Sequence, residues 1–404
     1  MSRSFVIRTL IILSLCANTA FAQSVKFTVT GNIQGIQKGD TLRFSKISLP
    51  SFESEKAFDI IADKDESFKY SGTHPHTQYY IIQYFPVGTP IDDISRKGME
   101  IIIKDGNIKI EGRRDYIYYS TITNSFYDKE LTKIKMLEDS LELARNMIYN
   151  AMSDKNQDPK ITMELYQKYS TFPADNAAQY KRLESMRNAY NASASNEYKA
   201  YLLCTGFAES LDNLEAGYNK LDNKARKSYY GTLLQSIITK LKKLAPGEPA
   251  PGFTLTTRDE EKISLADFKG KYLLIYLFGT SFNSVETDPY IVNLYKANKD
   301  KLEVIGLTES MDMVNKAFDN IIVNGSSDMK KGITSMLIHP WKNKVELEQY
   351  DNKEILDTYS ITGIPFFILI SPDGKIAARG FFEAFNAAKA ILSGAPVPGT
   401  EPGK

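Results

Sequence analysis

Cysteine is what this 404-residue chain has too little of: there are two, Cys16 and Cys204. Cys16 falls inside an N-terminal stretch with the pattern of a secretion leader. Arg3 and Arg8 supply the positive start, Leu10 to Cys16 is a short apolar run, and Ala20-Phe21-Ala22 is a small-x-small cleavage site before Gln23. Lipid attachment at Cys16 would need a small residue before it, and Leu15 is not small. Cleavage after Ala22 and a periplasmic or secreted location are therefore expected. Cys204 would then be the only cysteine, which excludes an intrachain disulfide and a CxxC pair. Charge of one sign is also missing: 50 basic residues face 49 acidic ones, a net charge of +1, so no basic excess attracts nucleic acid. After the leader no run reaches the roughly eighteen apolar residues of a spanning helix, and a chain that does not cross a membrane is expected. Histidine is scarce as well. Of His74, His76 and His339, the first two are held apart by Pro75 with no further ligand near in sequence. Asp63-Lys64-Asp65-Glu66 lacks the glycine and distal glutamate of a calcium loop and reads as a turn. No metal and no other cofactor is expected.

What is present falls into three stretches after the leader (1–22). Residues 23–115 read as short strands, alternating apolar and polar with period two in Val25 to Gly31 and continuing in Tyr79 to Tyr84 and Asn107 to Gly112, with turn signals such as Lys38-Gly39-Asp40 between them. That pattern predicts an antiparallel β sandwich or barrel. From 116 to 245 the period becomes helical: Leu131, Ile134, Leu137, Leu141 and Ile148 share one face. Cys204, one apolar residue in Tyr201 to Phe207, reads as a packing residue. Ala245-Pro246-Gly247-Glu248-Pro249-Ala250-Pro251-Gly252 ends this helical region. Residues 246–393 then alternate strand and helix, and Tyr272 to Phe278 has the continuous apolar character of a strand buried on both faces. Ser371-Pro372-Asp373-Gly374 is a hairpin turn. The proline-rich tail, 394–404, is expected to be disordered.

Three segments of the last stretch carry a resemblance. Gly247 to Leu255 followed by Ile263 to Lys271, the segment Ile361 to Ile376, and Trp341 upstream of that segment together resemble TlpA/ResA-like thioredoxin-fold proteins. More loosely, the order of a β-rich module, a helical connector and this domain resembles envelope proteins of the Bacteroidetes whose N-terminal domain has no known function. The resemblance implies an α/β thioredoxin-like domain at the C-terminus. It implies two cysteines where the first buried strand meets the next helix, because a helix N-terminus favours the attacking thiolate and a second thiol resolves the mixed disulfide. It also implies a cis proline at Ile364-Pro365 facing that pair, with Gly363 and Ile364 offering backbone groups to an extended peptide.

At the cysteine positions this chain has Phe278-Gly279-Thr280-Ser281-Phe282-Asn283-Ser284-Val285. Matching Phe278-Gly279-Thr280 to the family's aromatic-small-Thr places Phe282 and Val285 at the cysteine positions. Matching Pro289 to the family's helix proline places Ser281 and Ser284 there. A serine without a base is a weak nucleophile, and His339 is the domain's only histidine, so a helix cap is the expected role of these serines. The leading expectation is an envelope protein with a degenerate, non-redox thioredoxin-like domain, acting as a binding or accessory protein rather than an enzyme. Its expected partner is an extended peptide or another envelope protein. The alternatives are a thiol–disulfide oxidoreductase of the TlpA/ResA type, or ligand binding through the β domain.

Overall fold

A computed structural model describes residues 24–49, 53–89, 98–152, 158–206 and 210–394. The expected leader with Cys16, the tail beyond Gly394 and residues 153–157 lie outside them. Two compact units make up the chain. The first runs to Tyr190 without residues 48–53, and the second takes those residues and everything from Asn191.

In the first unit the strands are β1 (Val25–Gln34), β2 (Thr41–Ser48), β3 (Glu53–Ile61), β4 (Ser67–His74), β5 (Gln78–Phe85), β6 (Met99–Ile103), β7 (Gly106–Arg113) and β8 (Thr121–Thr123). They form two four-stranded sheets, ordered β4-β1-β7-β8 and β3-β2-β5-β6. Val29 and Ile108 from one sheet and Phe44, Ile82 and Ile101 from the other belong to one buried cluster, so the inner faces share a core. Two expectations are corrected here. The sheets have open edges rather than closing into a barrel, and β1 pairs with β7 in parallel, Val29 opposite Ile108. Alternation reports which face is buried and is blind to strand direction and to closure. β3 escaped sequence reading because residues 54–57 are all exposed on an edge strand and show no alternation.

The turn before β2 is held by a buried carboxylate. Asp40 accepts hydrogen bonds from Gln37 N (2.9 Å), Val87 N (2.9 Å) and Tyr84 Oη (2.6 Å), and Arg114 Nε lies 3.7 Å away. Burial alone would raise its pKa, but these donors bring it below the ordinary carboxylate range. Asp40→Ala is expected to cost about 3 kcal/mol in urea unfolding, because three donors lose one buried acceptor at once. A loss below about 1 kcal/mol would show that the turn holds without it. His74, opposite Val25 at the other end of β1, has its Nε2 at 3.0 Å from the Lys104 carbonyl, and burial lowers its pKa.

Three helices complete this unit: α1 (Lys129–Met152), α2 (Pro159–Asp175) and α3 (Ala177–Ser193). Asp158 caps α2 through Lys160 N and Pro159 takes the first turn, where its missing N–H costs nothing. Ile134 and Leu141 of α1 meet Phe172 and Leu183, with Leu137 and Ile148 packed on the rim.

The second unit begins with α4 (Glu197–Thr205), α5 (Leu211–Asn219), α6 (Asn223–Arg226) and α7 (Tyr229–Lys242). It continues through β9 (Thr254–Thr256), β10 (Lys262–Ser264), β11 (Tyr272–Leu277), α8 (Phe282–Ala297), β12 (Leu302–Thr308), α9 (Met311–Asn324) and α10 (Ser327–Leu337). It closes with β13 (Asn343–Glu346), α11 (Glu354–Thr358), β14 (Phe366–Ile370), β15 (Ile376–Gly380) and α12 (Phe382–Ser393). Its main sheet is ordered β13-β12-β11-β14-β15. β12 is parallel to both neighbours, and β14 is antiparallel to β11 and β15. Leu274 and Tyr276 point into the core on one sheet face, while Leu273, Ile275 and Leu277 fill the other. Both faces being covered explains the unbroken apolar run of β11. The proline-rich segment is not a free linker: Gly247 N and Ala250 N bond to Ile376 O and Gly374 O, along the hairpin.

Candidate functional site

The site lies where β11 ends. Phe278 still belongs to the sheet, its N–H bonded to Leu307 O at 2.9 Å. Ser281 is the N-cap of α8, and its Oγ accepts from Ser284 N at 3.3 Å. Ser284 is fully buried and turns its own Oγ back to accept from Gly279 N at 3.1 Å. Phe282 is 59% exposed on the first helical turn, whereas Val285 has no exposure and joins the core. Both sequence registers therefore place an exposed residue three positions before a buried one.

Facing this junction is the loop that enters β14. The Ile364-Pro365 bond is cis. A Cβ on Gly279 would lie 3.3 Å from Ile364 Cγ2, so the loop packs directly on the strand–helix turn. Ile364 keeps 39% exposure. Gly363 is bounded by Phe381, whose ring would come within 2.8 Å of a Cβ there. The residues singled out from sequence, Ser281, Phe282, Ser284 and Val285 on one side and Gly363, Ile364 and Pro365 on the other, thus come together where Gly279 meets Ile364; the exposed side of this contact, with Ser281, Phe282 and Ile364, is termed the groove, while Ser284, Val285 and Pro365 are buried behind it. The first amides of α8 stand at its end, a setting that favours negative charge.

Beneath the groove lies a buried polar cluster that sequence reading missed. Asp288, with no exposure, accepts from Tyr276 Oη at 3.1 Å and from His339 Nε2 at 2.7 Å. Burial, then the neighbouring carboxylate, raises the Tyr276 pKa well above its ordinary value. His339 stacks on Trp341 with ring centres 4.0 Å apart and meets Phe278 edge-on at 4.8 Å. Gly306 must lack a side chain, since its Cβ would stand 2.6 Å from Trp341 Nε1. The imidazole weighed as a base for a serine is therefore engaged with Asp288. The signal for Asp288 was present: Ser284, Asp288 and Ile291 fall on one buried helical stripe, and a carboxylate on such a stripe demands partners. Pro289 leaves the Val285 carbonyl without its helical donor, and Gly332 of α10 packs so close that a Cβ would sit 1.9 Å from that oxygen.

The groove contains no thiol. Cys204 lies on α4 at 6% exposure, its Sγ directed at Tyr230 O (3.5 Å), and burial pushes its pKa to about 12. At neutral pH it is a packing residue and not a nucleophile. Among the described residues no cluster of three or more His, Cys, Asp or Glu side chains could hold a metal ion, and no helix is long and apolar enough to cross a membrane.

No family model matches the chain. It is similar to a thiol–disulfide oxidoreductase ResA of Bacillus thuringiensis subsp. konkukian, 31% identical over 157 residues, covering 36% of this chain and 75% of that protein. The ResA thiol–disulfide oxidoreductase of Bacillus subtilis is 25% identical over 149 residues, 36% of this chain and 72% of that one. Among solved structures, the thioredoxin domain of a thiol–disulfide oxidoreductase from Bacteroides vulgatus is 29% identical over 37% of this chain and 99% of its own, with a TM-score of 0.28. The ResA relatives correct the leading functional expectation. Proteins named thiol–disulfide oxidoreductases match the domain over most of their length, so the reading as a non-redox binding or accessory protein gives way to the oxidoreductase alternative. The chain belongs to the TlpA/ResA-like thioredoxin-fold family.

Proposed function

We propose that the chain works in thiol–disulfide exchange outside the cytoplasm, in the manner of the TlpA/ResA-type oxidoreductases, with every reacting sulfur supplied from outside the chain, two by a disulfide bound in the groove and the attacking one by a free thiol. The observation that carries this reading is the contact of Ile364 with Gly279, which sets an extended peptide edge beside the amide end of α8. A polypeptide disulfide lies along Gly363-Ile364-Pro365. A small external thiolate attacks one of its sulfurs, a mixed disulfide forms between them, and the second sulfur leaves as a thiolate. The external thiol is the reductant, and the helix amides stabilise the charge that moves between sulfurs. The leader pattern before Gln23 supports the location, since disulfides persist in oxidising compartments.

The test is reduction of insulin by a low concentration of dithiothreitol, with and without the purified protein. An acceleration of about tenfold is expected, the scale of modest charge stabilisation together with orientation. Cys204→Ser should retain it. Equal rates with and without the protein would overturn the reading, and loss in Cys204→Ser would move the chemistry to that thiol.

A further inference from the structure

We infer that Arg379 is the positioning residue of the groove, holding the loop from Ser360 to Pro365 against the end of α8. The inference rests on the function proposed above for that groove, and Arg379 itself does not touch the reacting sulfurs. The loop leaves α11 through Ser360, a non-glycine residue at φ +48. Backbone in that region persists only where its surroundings hold it. Arg379, on β15, places one guanidinium nitrogen on both carbonyls at this corner, Tyr359 O at 3.1 Å and Ser360 O at 2.9 Å. The same guanidinium lies over the ring of Phe366, the residue after Pro365, at 5.3 Å. Phe366 in turn meets Phe381 edge-on at 5.3 Å, and Phe381 bounds Gly363. One arm, β15 with Phe381, therefore grips the loop at its start, its middle and its end. Among the described residues no carboxylate pairs with Arg379, so its charge is committed to two carbonyls and an aromatic face. Burial draws its pKa down to about 10, which still leaves it cationic at neutral pH. A lysine cannot reproduce this arrangement, because the planar guanidinium supplies both the ring contact and the directed donor.

Arg379→Met and Arg379→Lys would be compared with the parent in dithiothreitol-driven insulin reduction and in amide hydrogen exchange. In Arg379→Met, KM for insulin is expected to rise about tenfold while kcat stays within about twofold, the scale of one lost charge-assisted hydrogen bond. Exchange at Ile361, Thr362, Gly363 and Ile364 should accelerate at least about tenfold, with α8 unchanged, because only the loop is released. Arg379→Lys should fall between, and it decides the matter if the methionine variant does not fold. Unchanged loop exchange in both variants, or faster exchange spread evenly over β14 and α8, would overturn the assignment. If the parent itself does not accelerate insulin reduction, the proposed function fails, while loop exchange still decides the role of Arg379.

Discussion

Replacing Ser281 and Ser284 together by cysteine is expected to raise insulin reduction by about a hundredfold over the parent. An intramolecular resolving thiol would replace an encounter with a second external one. The two registers are expected to differ because of the helix cap. Ser281 Oγ already accepts the Ser284 N–H, so a thiolate at 281 would receive the same donor and the full effect of the helix end. The buried partner at 284 lies three residues on, within the first turn of α8. The alternative pair, Phe282→Cys with Val285→Cys, begins one residue inside the helix, leaves Ser281 as the cap and removes Val285 from the core. It is expected to gain less than about tenfold, since its attacking sulfur lacks the capping donor. The initial rate with dithiothreitol as the terminal reductant measures both. Higher activity from the 282/285 pair would reverse the register and show that the cap does not mark the attacking position.

Asp288→Ala is expected to destabilise the second unit by about 3–5 kcal/mol, the scale of removing one partner from a buried polar pair. His339 Nε2 and Tyr276 Oη would both lose their acceptor inside a closed core, where no water replaces it. Asp288→Asn, which keeps an acceptor oxygen, should lose less than the alanine variant. Urea unfolding followed by the fluorescence of Trp341, the chain's only tryptophan, reads the unit directly, because that indole stacks on His339. A loss below about 1 kcal/mol in the alanine variant would mean that these bonds add no net stability.

How much of this was legible in the chain varies by element. β11 announced itself by an unbroken apolar run, and the hairpin of β14 and β15 by Ser371-Pro372-Asp373-Gly374, whose glycine adopts φ +83. α9 and α10, between β12 and β13, had no such announcement. Each carries only an amphipathic stripe, Val314, Phe318 and Ile321 in α9 for example, and α10 is placed by packing on α8 through Gly332. The direction of β1 against β7 was invisible for a different reason: side-chain alternation is the same in parallel and antiparallel pairs.

Of the candidate site, the sequence by itself determined the chemistry that is absent. With no cysteine between Phe278 and Val285, the strand–helix junction holds no dithiol, whatever the fold, because atoms not encoded cannot be supplied by geometry. It also determined the two segments that border the groove, since a helix cap and an X-Pro turn are local signals. Only the tertiary structure decided what stands behind them. Asp288, His339 and Tyr276 lie far apart in sequence and meet because α8, β11 and the segment before Trp341 converge on one face of the sheet. Arg379 reaches Tyr359 and Ser360 because β15 runs beside the loop. Such partnerships depend on distance in space, and sequence spacing carries no measure of it.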